Sequence, residues 1–364
     1  MRNILGNNPF DLMKITDLKP IIASHCSHTF ASLNFGCRAN ASETNQLSQI
    51  LVNLGLSPDT DKPDVYLVNT CAITKKGEYE SIYQIKKIIK DDPEAIVLAT
   101  GCAHLEKVDH IPRVYTFDNT QKEAILKENF GKYSSDVLDK FSHTKRYVFR
   151  VQSGCSVNCT FCIVPSRRPY LNAIPLDEAV NTVNEAVKNG YSEVIITGVN
   201  LGQYFPGLSN LVEALLTRTK IELISFGSIP LITIDEKFIN LLSEYPTRVS
   251  RFLHIPLQSC SDKILRLMNR QYDKKRIIGT FEKLKQNKSL TFGSDIIVGF
   301  PTETDLEFQE TFELCQSIGF SKLHVFRYSP RPDTVAREIF LKSEKISKDE
   351  LTRRSRLIRS ISGE

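Results

Sequence analysis

Tyr147-Val-Phe-Arg-Val-Gln152-Ser-Gly-Cys155-Ser-Val-Asn-Cys159-Thr-Phe-Cys162 decides how the rest of the chain is read. Tyr147 to Gln152 reads as a β-strand. The loop after it has the spacing C-x3-C-x2-C. Three thiolates spaced this way can wrap one face of a compact cluster, and cysteine thiolates are the usual ligands of iron–sulfur centres. A cubane needs four ligands, so three leave one iron open to a small molecule. A structural zinc site is the alternative, but a closed one takes four ligands and no fourth lies nearby. The loop also sits where α/β barrels build active sites, directly after a strand.

Downstream, strand and helix patterns alternate. Candidate strands are Glu193 to Thr197, Ile221 to Phe226, Arg251 to Ile255, Phe292 to Val298 and Lys322 to Tyr328. Helical stretches fill the gaps, at Asp177 to Asn189, Asn210 to Thr217, Asp235 to Ser243, Lys275 to Leu284 and Asp305 to Ile318. Consecutive strand–helix units of this kind predict a partial (βα)6 barrel over 145–340 rather than an open sheet. The remainder, 341–364, is basic and reads as a helical tail.

Upstream the pattern is also α/β. Ala31 to Phe35, Asp64 to Val68 and Ala95 to Ala99 read as strands, with helices at Glu43 to Leu54 and Glu80 to Lys90 between them. This predicts a parallel-sheet, flavodoxin-like N-terminal domain over 28–135. Residues 1–27 read as an extension, and the polar stretch 131–146 as a linker. Cys37, Cys71 and Cys102 are far apart in sequence, yet each follows the carboxyl end of one of these strands. Neighbouring strands would bring the three thiols to one edge of the sheet. Three unrelated buried cysteines is the alternative.

Composition sets bounds. The chain has 364 residues, 41% hydrophobic and 24% charged, with a net charge of +5, which fits two globular domains and excludes disorder. The charge is too weak to prove nucleic-acid binding. Apolar runs such as Val194 to Ile196 and Ile296 to Val298 are far short of the ~20 residues a membrane span needs, so no membrane partner is expected. Asp11, Lys14, Asp17 and Lys19 interrupt the first apolar stretch, unlike a secretory signal. Nine cysteines are too sparse for a disulfide scaffold and point to a reducing, cytoplasmic compartment. Cys315 reads as core, while Cys26 and Cys260 have no firm pattern. The seven histidines are scattered and read as structural.

The C-x3-C-x2-C loop, with Phe161 before its last cysteine, resembles the radical S-adenosylmethionine enzymes. The settings Phe35-Gly-Cys-Arg-Ala-Asn40, Val68-Asn-Thr-Cys71 and Thr100-Gly-Cys102 resemble the methylthiotransferase branch. So do Thr197-Gly-Val-Asn-Leu-Gly202, His254-Ile-Pro-Leu-Gln-Ser259, Leu267-Met-Asn-Arg270, Asp295-Ile-Ile-Val-Gly-Phe-Pro301 and Tyr328-Ser-Pro-Arg-Pro332. Gly36 to Thr44 and His324 to Pro332 are similar to the MtaB-like branch, which acts on threonylcarbamoyladenosine in tRNA.

The resemblance implies two [4Fe-4S] clusters. Cys155, Cys159 and Cys162 would hold the radical-generating one, whose open iron chelates S-adenosylmethionine. Cys37, Cys71 and Cys102 would hold one that supplies sulfur, and a second S-adenosylmethionine would give the methyl group. It implies methylthio transfer to the adenine C2 next to the anticodon. The partners implied are the tRNA anticodon stem-loop and a reducing electron donor protein. Asn200, Ser228, Gln258 and Asp295, at or near strand ends, would grip S-adenosylmethionine; a satisfied loop polar group is the alternative for each. Arg167, Arg168, Tyr328 and Arg331 are further candidates for phosphate or carboxylate contacts.

The sequence departs from the family pattern in three places. The C-terminal RNA-binding β-barrel is expected to be absent; Arg353, Arg354, Arg356 and Arg359 of the tail would partly replace it through phosphate contacts, or form a solvated helix face. The segment after Cys162 differs, and Ser225 to Leu231 lacks an acidic residue often found there. Other readings are a methylthiotransferase for isopentenyladenosine or a ribosomal protein, a non-catalytic iron–sulfur or RNA-binding protein, and a zinc-binding structural protein.

Overall fold

The computed structural model describes residues 18–130 and 145–363. The stretch 131–144, most of the expected linker, and residues 1–17 of the expected extension lie outside the described residues. The chain divides into two compact units, Met1–Val137 and Leu138–Glu364.

The first unit runs α1 (Lys19–Ser24), β1 (Thr29–Asn34), α2 (Arg38–Asn53), β2 (Ser57–Pro58), β3 (Val65–Thr70), α3 (Lys75–Asp91), β4 (Ile96–Gly101), β5 (Val114–Thr116) and α4 (Asn119–Phe130). The sheet order is β2-β1-β3-β4-β5, and every pairing is parallel. β3 and β4 are central and covered on both faces. That is why Val65, Leu67, Val68 and Ile96 to Ala99 form near-continuous apolar runs, at most 2% exposed. One face packs Leu47, Ile50 and Leu51 of α2; the other packs Ile82, Ile85 and Ile88 of α3. Leu18, Ile21 and Ile22 join the first of these layers, so this part of the stretch read as an extension belongs to the core. The three-residue β5 carried no recognisable strand pattern.

The second unit contains β6 (Arg146–Ser153), α5 (Val164–Arg167), β7 (Asn172–Ala173), α6 (Leu176–Lys188), β8 (Glu193–Gly198), α7 (Leu208–Arg218), β9 (Leu223–Phe226), α8 (Glu236–Glu244), β10 (Phe252–His254), α9 (Asp262–Leu267), α10 (Lys274–Lys285), β11 (Thr291–Val298), α11 (Asp305–Ile318), β12 (Lys322–Arg327), α12 (Val335–Lys342) and α13 (Lys348–Ser360). β6, β8 and β9 pair in parallel, as do β10, β11 and β12. Parallel bridges Ile224↔Val249 and Ser228↔His254 join the two sets. The result is an arc of six parallel strands in chain order, the partial barrel expected, with short antiparallel β7 beside β6. Helix starts follow capping chemistry. Asp235 accepts from Phe238 N–H at 2.7 Å, and Thr304 with Glu307 forms a capping box.

The tail carries helix α13, and three of its four named arginines, Arg353, Arg354 and Arg359, are engaged within the fold. Arg354, 3% exposed, bonds Glu303 at 2.9 Å, Asp305 at 2.7 Å and Glu350 at 2.8 Å. Arg359 donates to the Val325 carbonyl at 3.0 Å. The expectation that Arg354 contacts phosphate is therefore corrected: it is an internal tie that fastens α13 to the barrel.

Candidate cluster-binding sites

In the first unit, β1, β3 and β4 are adjacent and parallel, so their carboxyl ends lie side by side. Cys71 and Cys102 directly follow β3 and β4, and Cys37 caps the start of α2 just beyond β1. A buried polar web fixes these three ends. Asn40 donates to Asn69 Oδ1 at 3.1 Å and to the Thr70 carbonyl at 3.0 Å. Asn69 donates back to the Asn40 carbonyl, and Thr70 Oγ1 to the Thr100 carbonyl at 2.7 Å. Asn119 donates to the Gly101 carbonyl at 2.9 Å and reaches the Cys102 sulfur at 3.8 Å. A fully buried Lys122–Glu43 pair at 2.5 Å ties α4 to α2. Cys37 is exposed, Cys71 half-buried and Cys102 buried. Gly101 is required here: its φ is +109°, and a Cβ would come within 2.4 Å of the Thr70 carbonyl oxygen.

In the second unit, the cysteine loop follows β6 through Gly154. This residue has φ +80°, and a Cβ would lie 1.3 Å from the Tyr170 carbonyl oxygen. Cys155 N–H donates to the Arg168 carbonyl at 3.1 Å, which closes the loop's base. Thr160 holds the far side, through its N–H to Met268 O at 3.1 Å and its hydroxyl to Leu267 O at 2.7 Å.

Each sulfur of this loop meets an N–H donor. Asn200 Nδ2 lies 3.5 Å from Cys155, Arg270 Nη1 lies 3.6 Å from Cys159, and Val164 N lies 3.4 Å from Cys162. Donors aimed at sulfur stabilise thiolates and the sulfur-rich charge of a cluster. Three thiols, three donors and half-burial fit a [4Fe-4S] group held by three cysteines.

The other expected residues divide. Asn200, after β8, is a polar brace whose N–H donates to Gln152 Oε1 at 2.7 Å. Ser228 is exposed at the end of β9. Gln258 follows β10 in the left-handed region, φ +70°, a strained setting for a non-glycine residue that the structure around it must hold. Asp295 is mid-strand in β11, and its carboxylate is engaged by His254 at 3.0 Å and His324 at 3.2 Å. Arg168 is 1% exposed, so it lies inside the fold rather than on a solvated surface. Tyr328 packs against Phe300 and Phe340, and burial pushes its hydroxyl up to about 12. Cys260 and Cys315 are buried; the Cys260 hydrogen bond and then burial raise the Cys315 thiol.

Sequence reasoning missed three features. Gln152 braces both the loop, through the Gly154 carbonyl at 2.7 Å, and Asn200; a polar residue ending a strand just before the glycine was the available signal. Arg270 touches the cluster loop. His254, Asp295 and His324 form the one group of three ligand-type residues within 4.8 Å of one another among the described residues. They sit on consecutive strands, which no sequence spacing reveals.

Comparison with known proteins bears on this arrangement. Residues 149–315 match the Radical SAM superfamily, and residues 29–118 match Uncharacterized protein family UPF0004. Among solved structures, the radical S-adenosylmethionine methyltransferase TsrM from Kitasatospora setae shares the fold, with a TM-score of 0.62 at 11% identity over 85% of this chain and 77% of that one. A barrel of this kind with its cysteine loop after the first strand defines a radical S-adenosylmethionine protein.

Curated relatives narrow the class. Threonylcarbamoyladenosine tRNA methylthiotransferase MtaB of Aquifex aeolicus is 31% identical, over 86% of this chain and 84% of its own. The Bacillus subtilis protein of that name is 31% identical, over 85% and 75%. A tRNA-2-methylthio-N(6)-dimethylallyladenosine synthase of Thermotoga petrophila is 32% identical, over 83% and 74%. The chain belongs to the methylthiotransferase family of radical S-adenosylmethionine enzymes. No helix among the described residues is long and apolar enough to cross a membrane.

Proposed function

We propose that the protein methylthiolates threonylcarbamoyladenosine in the tRNA anticodon stem-loop. The observation that carries this reading is the presence of two cysteine triads at strand ends in a chain that matches MtaB relatives over most of its length. Cys155, Cys159 and Cys162 would hold one [4Fe-4S] cluster, and Cys37, Cys71 and Cys102 the second. When bound, the first would supply the electron for reductive cleavage of S-adenosylmethionine, and the second would carry sulfur.

The protein's own residues bind and orient. Asn200 braces the Cys155 side of the loop through its side-chain amide, which would also be in reach of a ligand bound at that side. Gln258 and Ser228 present polar groups at the next strand ends, and Asp295 faces the barrel interior, held by two histidines. The electron comes from a low-potential donor protein.

A second reading, methylthiolation of dimethylallyladenosine in tRNA, rests on relatives of that name at 32% identity. Anaerobic turnover with tRNA carrying either modified adenosine, read by nucleoside mass spectrometry, separates the two. Methylthiolation of the threonylcarbamoyl form alone supports the first; of the dimethylallyl form alone, the second.

A further inference from the structure

Of the three donors to the loop's sulfurs, Arg270 alone carries a charge. It follows α9 in Leu267-Met-Asn-Arg270, and its guanidinium is held in a fixed orientation. Nε donates to Tyr272 Oη at 2.9 Å, and Nη2 donates to the Pro256 carbonyl at 2.9 Å. Tyr272 is itself fixed by its hydroxyl to the Leu257 carbonyl at 3.0 Å, and its ring lies 5.0 Å from the guanidinium carbon. The third edge, Nη1, is left aimed at Cys159 Sγ, 3.6 Å away.

We infer that Arg270 is a positioned charge that raises the reduction potential of the cluster held by Cys155, Cys159 and Cys162. This rests on the cluster reading proposed above. The argument is electrostatic. One-electron reduction by a low-potential donor adds a negative charge to the cluster and its thiolates. A fixed cation at a ligand sulfur, half-buried and poorly screened, stabilises the reduced form more than the oxidised one. A guanidinium stays charged at any pH the protein meets, so the charge persists.

An anchoring role is the competing account, and the geometry argues against it. The loop is already clamped without Arg270. Thr160 makes two bonds to Leu267 and Met268, and Asn269 Nδ2 donates to the Asn158 carbonyl at 2.9 Å. A 3.6 Å contact to sulfur adds little to that clamp, whereas a charge acts well beyond contact.

The test is an EPR-monitored redox titration of the full chain, reconstituted anaerobically with iron and sulfide. S-Adenosylmethionine is left out of the titration and added afterwards, to identify the cluster whose signal it changes. At a fixed poise, Arg270→Gln is expected to lower the reduced-to-oxidised ratio of that cluster about tenfold, or 59 mV for one electron. Arg270→Lys keeps the charge and should stay within threefold of the parent. Asn269→Ala cuts a clamp without changing charge and should leave the potential unmoved. A ratio in Arg270→Gln within threefold of the parent, with iron retained, overturns the inference. So does an equal shift in Asn269→Ala, or loss of iron from both Arg270 variants, which would make the side chain an anchor. If the Gln variant alone loses iron, a Lys variant at the parent potential supports the inference and one shifted tenfold overturns it. A parent protein that binds no iron at this loop defeats the cluster reading itself.

Discussion

The side-chain amide of Asn200 points at the sulfur of Cys155, Nδ2 to Sγ 3.5 Å, while the backbone N–H of Asn200 is held by Gln152 at 2.7 Å. A residue expected to touch only a ligand thus also touches the group that would bind it. Asn200→Ala removes the contact to Cys155 and the cap that Asn200 Oδ1 gives Gly202 N–H at 3.0 Å, each worth about 1 kcal/mol. We expect about a fivefold fall in 5′-deoxyadenosine formed by the reduced protein, with a small drop in melting temperature from the lost cap. An unchanged rate means Asn200 is only a loop brace.

Gly154 gives a sharper test. Its φ is +80°, and the Tyr170 carbonyl oxygen lies 1.3 Å from where a Cβ would sit, which leaves no room for a side chain. Gly154→Ala forces the loop off its path. The variant is expected to lose the iron bound by this loop. The sheet of the first unit, with its separate core, should keep its stability. Iron content after reconstitution and a two-transition melt check both halves.

How much of this was legible in the sequence depends on the range of the interaction. Ala95 to Ala99 reads as a buried parallel strand because both faces are covered, so apolarity is continuous. Cys71 and Cys102 were legible as strand-end residues for the same reason: the strand before each is unmistakable. The three-residue β5 and two-residue β7 are too short to carry a period. The His254–Asp295–His324 group was missed because it forms across strands, where sequence distance says nothing. Arg354 was misread because a basic, amphipathic tail looks the same whether its charges face solvent or buried carboxylates.

That arginine yields a stability prediction. Arg354 and Glu303 are paired at 2.9 Å with both side chains buried. Burial already pushes Glu303 up to about 7 beside the arginine, so without Arg354 its carboxyl takes up a proton, and loss of the buried pair costs about 3 kcal/mol. Arg354→Ala should lower the melting temperature of the second unit and expose α13 to protease. A melt within experimental error of the parent contradicts the assignment.

Strong acid should loosen the same region through Glu350 and Glu307, whereas Glu303, pushed up to about 7 by burial, gains from protonation at higher pH. The Arg353 hydrogen bond, helped by Arg354 against partial desolvation, holds Glu350 at about 2. For Glu307 desolvation pushes upward, but hydrogen bonds from Thr304 and Lys263 outweigh it and hold it at about 2. Both lie below the ordinary 4.5, so the unfolded chain takes up protons first as pH falls. Their stabilisation is complete above pH 4.5 and drains away toward pH 2. Glu307→Gln, which keeps a capping-box partner for Thr304, should flatten that acid limb in thermal melts at pH 5 and 3. An acid limb unchanged by the substitution rules Glu307 out as a source.

The central claim is tested most directly by mass spectrometry of nucleosides from total tRNA. Three strains are compared: one with this gene, one without it, and one carrying Cys159→Ala. The account predicts methylthio-threonylcarbamoyladenosine in the first and only its unmethylthiolated precursor in the other two. Identical nucleoside pools in all three strains would contradict it.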